Sequence, residues 1–197
     1  MELKDSRTKE NLMRAFAGES QARNRYTFAA GIARQKNLHV VEAVFLYTAD
    51  QEKAHGQVFY DLLKSGGCGG AVLEGAGYPV DLSDDPMELL EAAAGHESEE
   101  HGEIYPQFAD IAKEEGFTEV ERKFRLISDI EKTHQERFER FAKLMREGKL
   151  FVSDVDTGWV CLHCGFVTYG KEAPQKCPVC SHDQGYFIRV ELSPYTR

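Results

Sequence analysis

The sequence of 197 residues predicts a mainly α fold: a four-helix bundle with a long crossover between helices 2 and 3, followed by a small, metal-stapled β domain. Three observations carry this. Apolar residues recur at spacings of three and four through four long segments before residue 149. The phrase Asp-x-Glu-Lys-x-His occurs twice, as DQEKAH at 50–55 and DIEKTH at 129–134. Two Cys-x-x-Cys pairs, CLHC at 161–164 and CPVC at 177–180, lie in a final stretch too short to build its own apolar core.

The elements follow in chain order. The first helical segment breaks at Asn37 and its polar neighbours, and the second ends at SGGCGG, 65–70. The Gly-rich stretch of roughly twenty residues after it is long for a connection inside a compact domain and reads as a crossover along the bundle. The third segment starts strongly: Asp85 can cap, Pro86 suits the first helical position, and Glu88 stands where a capping box wants an acid. Pro106 should kink or locally widen this helix. It stops at Gly116, and Thr118 with Glu121 predicts a second capping box, so the third and fourth helices are antiparallel neighbours. Residues 1–148 thus form the bundle, 149–157 (KLFVSDVDT) a linker, and 158–197 the small domain.

A formal charge of -9 would repel a phosphate backbone or an anionic membrane surface, which argues against nucleic-acid or lipid binding. No cleavable leader opens the chain and no stretch approaches a membrane-spanning length, so a cytoplasmic protein is expected. In that reducing compartment the paired cysteines point to metal ligation rather than disulfides.

The stripes carry the chemistry. The second segment reads Val41, Phe45, Thr48, Glu52, His55, Phe59, Leu62, and the fourth Val120, Phe124, Ile127, Glu131, His134, Phe138, Phe141, Met145. The first reads Leu12, Phe16, Glu19, Tyr26, Ala30, and the third Leu90, Ala93, Glu97, Glu100, Ile104, Phe108, Ile111. Each apolar face is therefore interrupted near its middle by acids or imidazoles. Five carboxylates converging in an apolar core repel one another, and each carries a desolvation cost of several kcal/mol unless cations neutralise them. Two helices giving a lone Glu and two giving Glu-x-x-His form the inward ligand set of a dinuclear carboxylate bundle. Glu19 precedes Glu52 by 33 residues and Glu97 precedes Glu131 by 34, so the repeat is a two-fold pseudo-symmetry in which Glu100 is an additional acid. Lys53 and Lys132 fall off the stripe. Asp50 and Asp129 could steer a ligand imidazole through its second nitrogen. The four thiolates of Cys161, Cys164, Cys177 and Cys180 predict a tetrahedral site for zinc or iron.

AFAGESQARNRY at 15–26, TADQEKAH at 48–55, IYPQFADIAKEEGF at 104–117 and the terminal WVCLHCGF and CPVC resemble the rubrerythrin family, in the same order over nearly the full length. The resemblance implies a ferritin-like four-helix bundle with a non-haem di-iron centre, two ions per chain, and a rubredoxin-like domain with one iron in the four-cysteine site. It implies bridging roles for Glu52 and Glu131, terminal ligation of one iron by Glu19, and of the other by Glu97 and His134. Glu100 and His55 would be alternative ligands exchanged with redox state, and Tyr26 and Tyr105 would stand beside the catalytic Glu52 and Glu131. Charge counting gives the exchange a reason: five carboxylates leave two ferrous ions at net -1, and replacing Glu100 by neutral His55 brings the pair to zero.

The implied activity is a peroxidase reducing hydrogen peroxide to water in oxidative-stress defence. Electrons would reach it from an NAD(P)H-linked reductase or rubredoxin-like carrier through the four-cysteine iron, in a homodimer or higher homo-oligomer. The alternatives are a ferroxidase or iron-storage protein and a di-iron oxidase. Cys68 reads as an incidental loop thiol, and His39, His96, His101, His163 and His182 as surface or secondary-shell residues.

Overall fold

The computed structural model describes residues 1–71, 73 and 75–193; the last four residues of the predicted small domain lie outside that range. Helices α1 (Arg7–Gln35) and α2 (His39–Ser65) form one antiparallel pair. The third rod comprises α3 (Pro86–Glu99), a π-helical turn (Glu100–Ile104) and α4 (Tyr105–Glu114), and it packs on α5 (Thr118–Arg146). The long crossover joins the two pairs, as the Gly-rich stretch requires.

Local chemistry sets the boundaries. Asp85 caps α3 by accepting from the N–H groups of Met87 and Glu88, with Pro86 behind it. Glu88 does not close a capping box on Asp85; its carboxylate accepts from the Ser83 hydroxyl, whose oxygen takes the Asp85 N–H. The predicted Thr118–Glu121 box does not form either. Phe117 is the N-cap, Thr118 is already helical, and Glu121 pairs with Arg125 at 3.3 Å.

The expectation at Pro106 is met by widening. Proline has no N–H, and just before it the Tyr105 N–H reaches back five residues to the Glu100 carbonyl. The π-turn adds one residue to the rod and moves the buried face along by one. Below it Tyr105, Ala109 and Ala112 are buried, whereas the predicted Ile104, Phe108 and Ile111 are half-buried.

Two apolar clusters fill the bundle. One holds Tyr26, Val41, Phe45, Leu90 and Phe138, the other Leu12, Phe59, Tyr105, Phe124 and Ile127. The interrupted middles of the four stripes lie between them.

The C-terminal module is a three-stranded antiparallel sheet in the order β2-β1-β3, with β1 Val152–Cys161, β2 Val167–Glu172 and β3 Phe187–Arg189. The segment read as a linker is mostly strand: β1 begins at Val152, paired with Glu172 of β2. Trp159, Ala173 and Phe187 pack with the cysteines in a small core of their own. The module rests on the α1–α2 turn, where Val160 and Ile188 join the bundle cluster and Tyr186 stacks on His39 with ring centroids 3.9 Å apart. Gly185 is required there, because a Cβ would lie 1.8 Å from the carbonyl oxygen of Asn37.

Candidate metal centres

Glu19, Glu52, Glu97, Glu131 and His134 are each at most 2% exposed, and His55 is 6% exposed. The four rods bring them into two groups that share two members. One group is Glu19, Glu52, His55 and Glu131, the other Glu52, Glu97, Glu131 and His134. The sharing is specific at the level of atoms. Glu52 turns Oε2 to His55 Nδ1 (3.2 Å) and Oε1 to His134 Nδ1 (2.8 Å). Glu131 turns Oε1 to His55 Nδ1 (2.9 Å) and Oε2 to His134 Nδ1 (2.8 Å). Glu19 completes the first group at 3.9 Å from His55 Nδ1, and Glu97 the second at 3.8 Å from His134 Nδ1.

Several of these close approaches are not aligned as hydrogen bonds. Glu52 Oε1, both Glu131 oxygens, Glu19 Oε2, Glu97 Oε2 and His134 Nδ1 are buried without a hydrogen-bond partner. Lone pairs that converge at this range without a shared proton direction fit a cation lying between them, and a buried carboxylate layer needs one. Oxygen and imidazole donors suit iron or zinc.

The electrostatics of the metal-free layer are extreme. Burial, reinforced by Glu131 and Glu52, raises Glu19 well above the carboxylate range, and burial with Glu52 does the same to Glu97. Burial also works against Glu52 and His134. For both, the facing partners outweigh it: Glu52 is drawn down to about 2 by the two imidazoles, and His134 is pushed up to about 12 by Glu131, Glu52 and Glu97. His55 follows at about 9, again against burial.

Two tyrosines bind the layer crosswise. Tyr26 of α1 donates its hydroxyl to Glu97 of α3 at 2.6 Å, and Tyr105 of α4 donates to Glu19 of α1 at 2.6 Å. Burial and the adjacent carboxylates raise both phenols well above their ordinary value, so both keep their protons. Glu100 stands outside the two groups. It lies in the π-turn, half-buried, and shares with Tyr105 a cavity of about 290 Å³ beneath the crossover. Burial, with Glu131 and Glu52, lifts it to about 8.

Neither Asp50 nor Asp129 steers an imidazole; both are exposed. Each precedes its Glu by two residues, about 200° around the helix and away from the ligand face. The second nitrogen of His134 instead meets Gln51 Oε1 at 3.1 Å, a contact the sequence reading did not anticipate. Of the other histidines, His101 bonds the Ser128 carbonyl, and His163 and His182 stack on each other at 3.7 Å beside the cysteines.

The four thiols form the second centre. Cys161 and Cys180 lie 3.8 Å apart and Cys164 and Cys177 3.6 Å apart, with all four sulfurs within 4.8 Å of one another. Disulfide sulfurs would be at about 2 Å. A tetrahedron with metal–sulfur bonds of about 2.3 Å has edges of about 3.8 Å, which these separations match. Gly165, with φ +78°, closes the first knuckle in a conformation that favours glycine. Desolvation acts to raise Cys177, but the knuckle N–H groups of Cys180 and Val179 outweigh it and bring the thiol down to about 7, which favours the ligating thiolate.

The rubrerythrin family model matches residues 10–145, and the model for the rubrerythrin rubredoxin-like domain matches residues 159–188. The chain belongs to the rubrerythrin family. Rubrerythrin of Clostridium perfringens is 47% identical over 185 residues, covering 94% of this chain and 95% of its own. Rubrerythrin-1 of Clostridium acetobutylicum is 45% identical over 186 residues, covering 94% and 95%. Among solved structures, nigerythrin in a state described as fully reduced, all ferrous, aligns with a TM-score of 0.63 at 28% identity, covering 94% of this chain and 90% of that one. In rubrerythrin terms, the Glu/His cluster is the di-iron site and the four cysteines are the rubredoxin-like site.

Proposed function

We propose that the chain is a peroxidase that reduces hydrogen peroxide to water at a di-iron centre, with electrons delivered through the iron of the four-cysteine site. One observation carries the reading: the chain joins a dinuclear site, in which two buried carboxylates each serve both halves, to a four-thiol site suited to one-electron transfer. Six side chains would hold the pair, with Glu52 and Glu131 spanning both ions, Glu19 and His55 on one side, and Glu97 and His134 on the other. A bound ferrous pair would supply two electrons and polarise an oxygen–oxygen bond.

The chain's own residues handle the protons. Reduction of one peroxide consumes two electrons and two protons and yields two waters. Tyr26 and Tyr105 keep their hydroxyl protons against Glu97 and Glu19, which fixes the carboxylates and places two donors beside the reacting oxygens. Glu100, held at about 8, can take a proton from the cavity it shares with Tyr105 and carry it inward. Glu100 would also be the carboxylate able to stand in for His55 as a holder of the first ion. Aliphatic and aromatic clusters on both sides of the layer exclude bulk water.

The four-cysteine module sits on the α1–α2 turn, and His39 lies 13 residues from Glu52, roughly 20 Å along α2 at 1.5 Å per residue. This placement favours a homodimer in which each module serves its partner's di-iron centre, supplied by an NAD(P)H-linked reductase or rubredoxin-like carrier.

The test is anaerobic reduction followed by about 1.5 equivalents of hydrogen peroxide per chain, enough two-electron oxidant for three ferrous ions, watching both iron chromophores. Prompt reoxidation of both is expected. Indifference to peroxide with brisk reaction toward oxygen would overturn the reading in favour of an oxidase or ferroxidase. Mixing Cys164→Ser chains with Glu131→Gln chains should restore turnover if electrons cross between subunits; a mixture as inactive as its parts would sink the dimer route.

A further inference from the structure

Arg137 lies one turn beyond His134 on α5, touches neither ligand group, and is unassigned by the reading above. Its Nη1 donates to Thr48 Oγ1 and to Gln51 Oε1, both at 2.9 Å. The Thr48 hydroxyl in turn donates to the Val44 carbonyl at 3.0 Å, which leaves its oxygen free to accept. The guanidinium also lies over the Tyr47 ring, 4.9 Å from its centroid.

The polarity of this chain is forced. A guanidinium has donors only, so the end of the Gln51 carboxamide that faces it must be the oxygen. That same oxygen is 3.1 Å from His134 Nε2. An acceptor held against Nε2 requires a proton there, and the lone pair able to bind metal is then on Nδ1, the nitrogen turned toward Glu52, Glu131 and Glu97. We infer that Arg137 is a positioning residue: anchored by Thr48, it fixes the Gln51 amide so that His134 keeps its proton on Nε2 and offers Nδ1 to the metal. Without Arg137 the carboxamide is free to turn its NH2 toward Nε2, which favours a proton on Nδ1 and blocks ligation.

The inference rests on the metal reading of the bundle but not on peroxidase activity. Full-length chain with 15N-labelled histidine is loaded with zinc(II), a diamagnetic probe, and read in two ways: bundle zinc affinity by chelator competition, and the nitrogen of His134 that retains its proton by 15N NMR. Wild type should show an Nε2–H on His134. Arg137→Met should weaken zinc binding by about 10- to 100-fold, the usual range for a partner that orients a ligand, and should lose or broaden the Nε2–H signal. Arg137→Lys, which keeps the charge but lacks the planar fork that grips Thr48 and Gln51 together, should move the same way and serves if the methionine variant does not fold. Adding Gln51→Glu to Arg137→Met should restore the Nε2–H signal, because a carboxylate can only accept.

Wild-type affinity and an intact Nε2–H in both single variants would overturn the inference. So would weaker binding with the Nε2–H unchanged, since affinity would then fall without any change of tautomer. Wild type that binds zinc only at its cysteines would instead overturn the metal reading of the bundle.

Discussion

Tyr105 shows how much one hydroxyl contributes in a layer without water. Its proton goes to Glu19 Oε1, while Glu19 Oε2 has no partner among the described residues. Tyr105→Phe leaves a fully buried carboxyl group without its donor, a loss of about 1–3 kcal/mol. We expect that loss in urea denaturation of the metal-free chain and a smaller one in the metal-loaded chain, where the cation satisfies Glu19. Equal losses in both forms would show that the hydroxyl does not act through the carboxylate. At this scale the six clustered acids and imidazoles could be read from the sequence, because a charged residue on an apolar stripe stands out against its neighbours; the tyrosines' place beside them came from the family resemblance. Gln51 and Arg137 could not. They lie beside the stripe, where polar residues are ordinary, and only the packing of α5 against α2 brings them together. Cys68 gains nothing from the structure, since burial pushes its thiol up, away from reactivity.

Among the elements, the third rod departs most from its predicted periodicity, and the departure has a chemical purpose. Tyr26 follows Glu19 by seven residues, whereas Tyr105 follows Glu97 by eight. The π-turn absorbs the additional residue, so both tyrosines reach the glutamate of the opposite pair and the two-fold relation survives. A count of threes and fours cannot register such an insertion, although Pro106 announces a disturbance at the right place. Inserting an alanine after Gly102 adds a residue that the π-turn cannot absorb and should turn α4 by about 100°. Tyr105, Ala109 and Ala112 would then leave the core, at about 3 kcal/mol or more, and bundle metal binding should fall with the thermal midpoint. Unchanged metal loading and stability in the insertion would mean that the turn does not set the register. The caps illustrate a different limit. Asp85 caps as its sequence position suggests, yet Thr118 does not, because Phe117 is tied into the lower cluster and the helix starts one residue earlier than the motif implies.

For the whole molecule, the bundle and the four-cysteine module were both legible, since each declares itself by its own ligands. Their seating was not. The contact of Gly185 with Asn37 and the stack of Tyr186 on His39 are made by residues without a local pattern. The charged layer at the centre of the bundle also governs how the whole chain responds to pH. In the metal-free protein, Glu19 and Glu97 are raised well above their ordinary value and Glu100 to about 8. Their protons are retained on folding but released by the unfolded chain near pH 4.3, so their contribution declines as pH rises. His55 at about 9 and His134 at about 12 have the same sign: their stabilisation is full below the unfolded value of about 6.5 and is lost as pH climbs through the folded ones. Glu52, drawn down to about 2, acts oppositely, but its contribution is lost only in acid, well below neutrality. The metal-free chain should therefore be less stable at pH 9 than at pH 6. Metal reverses the sign, because it binds the deprotonated ligands and displaces those protons, so its affinity grows with pH. Guanidinium denaturation of chelator-stripped and zinc-loaded chains, followed by the helical signal at pH 6 and pH 9, should show the gap between the two forms widening toward pH 9. A metal-free chain that gains stability over this interval would mean that the carboxylates and imidazoles do not share one buried layer.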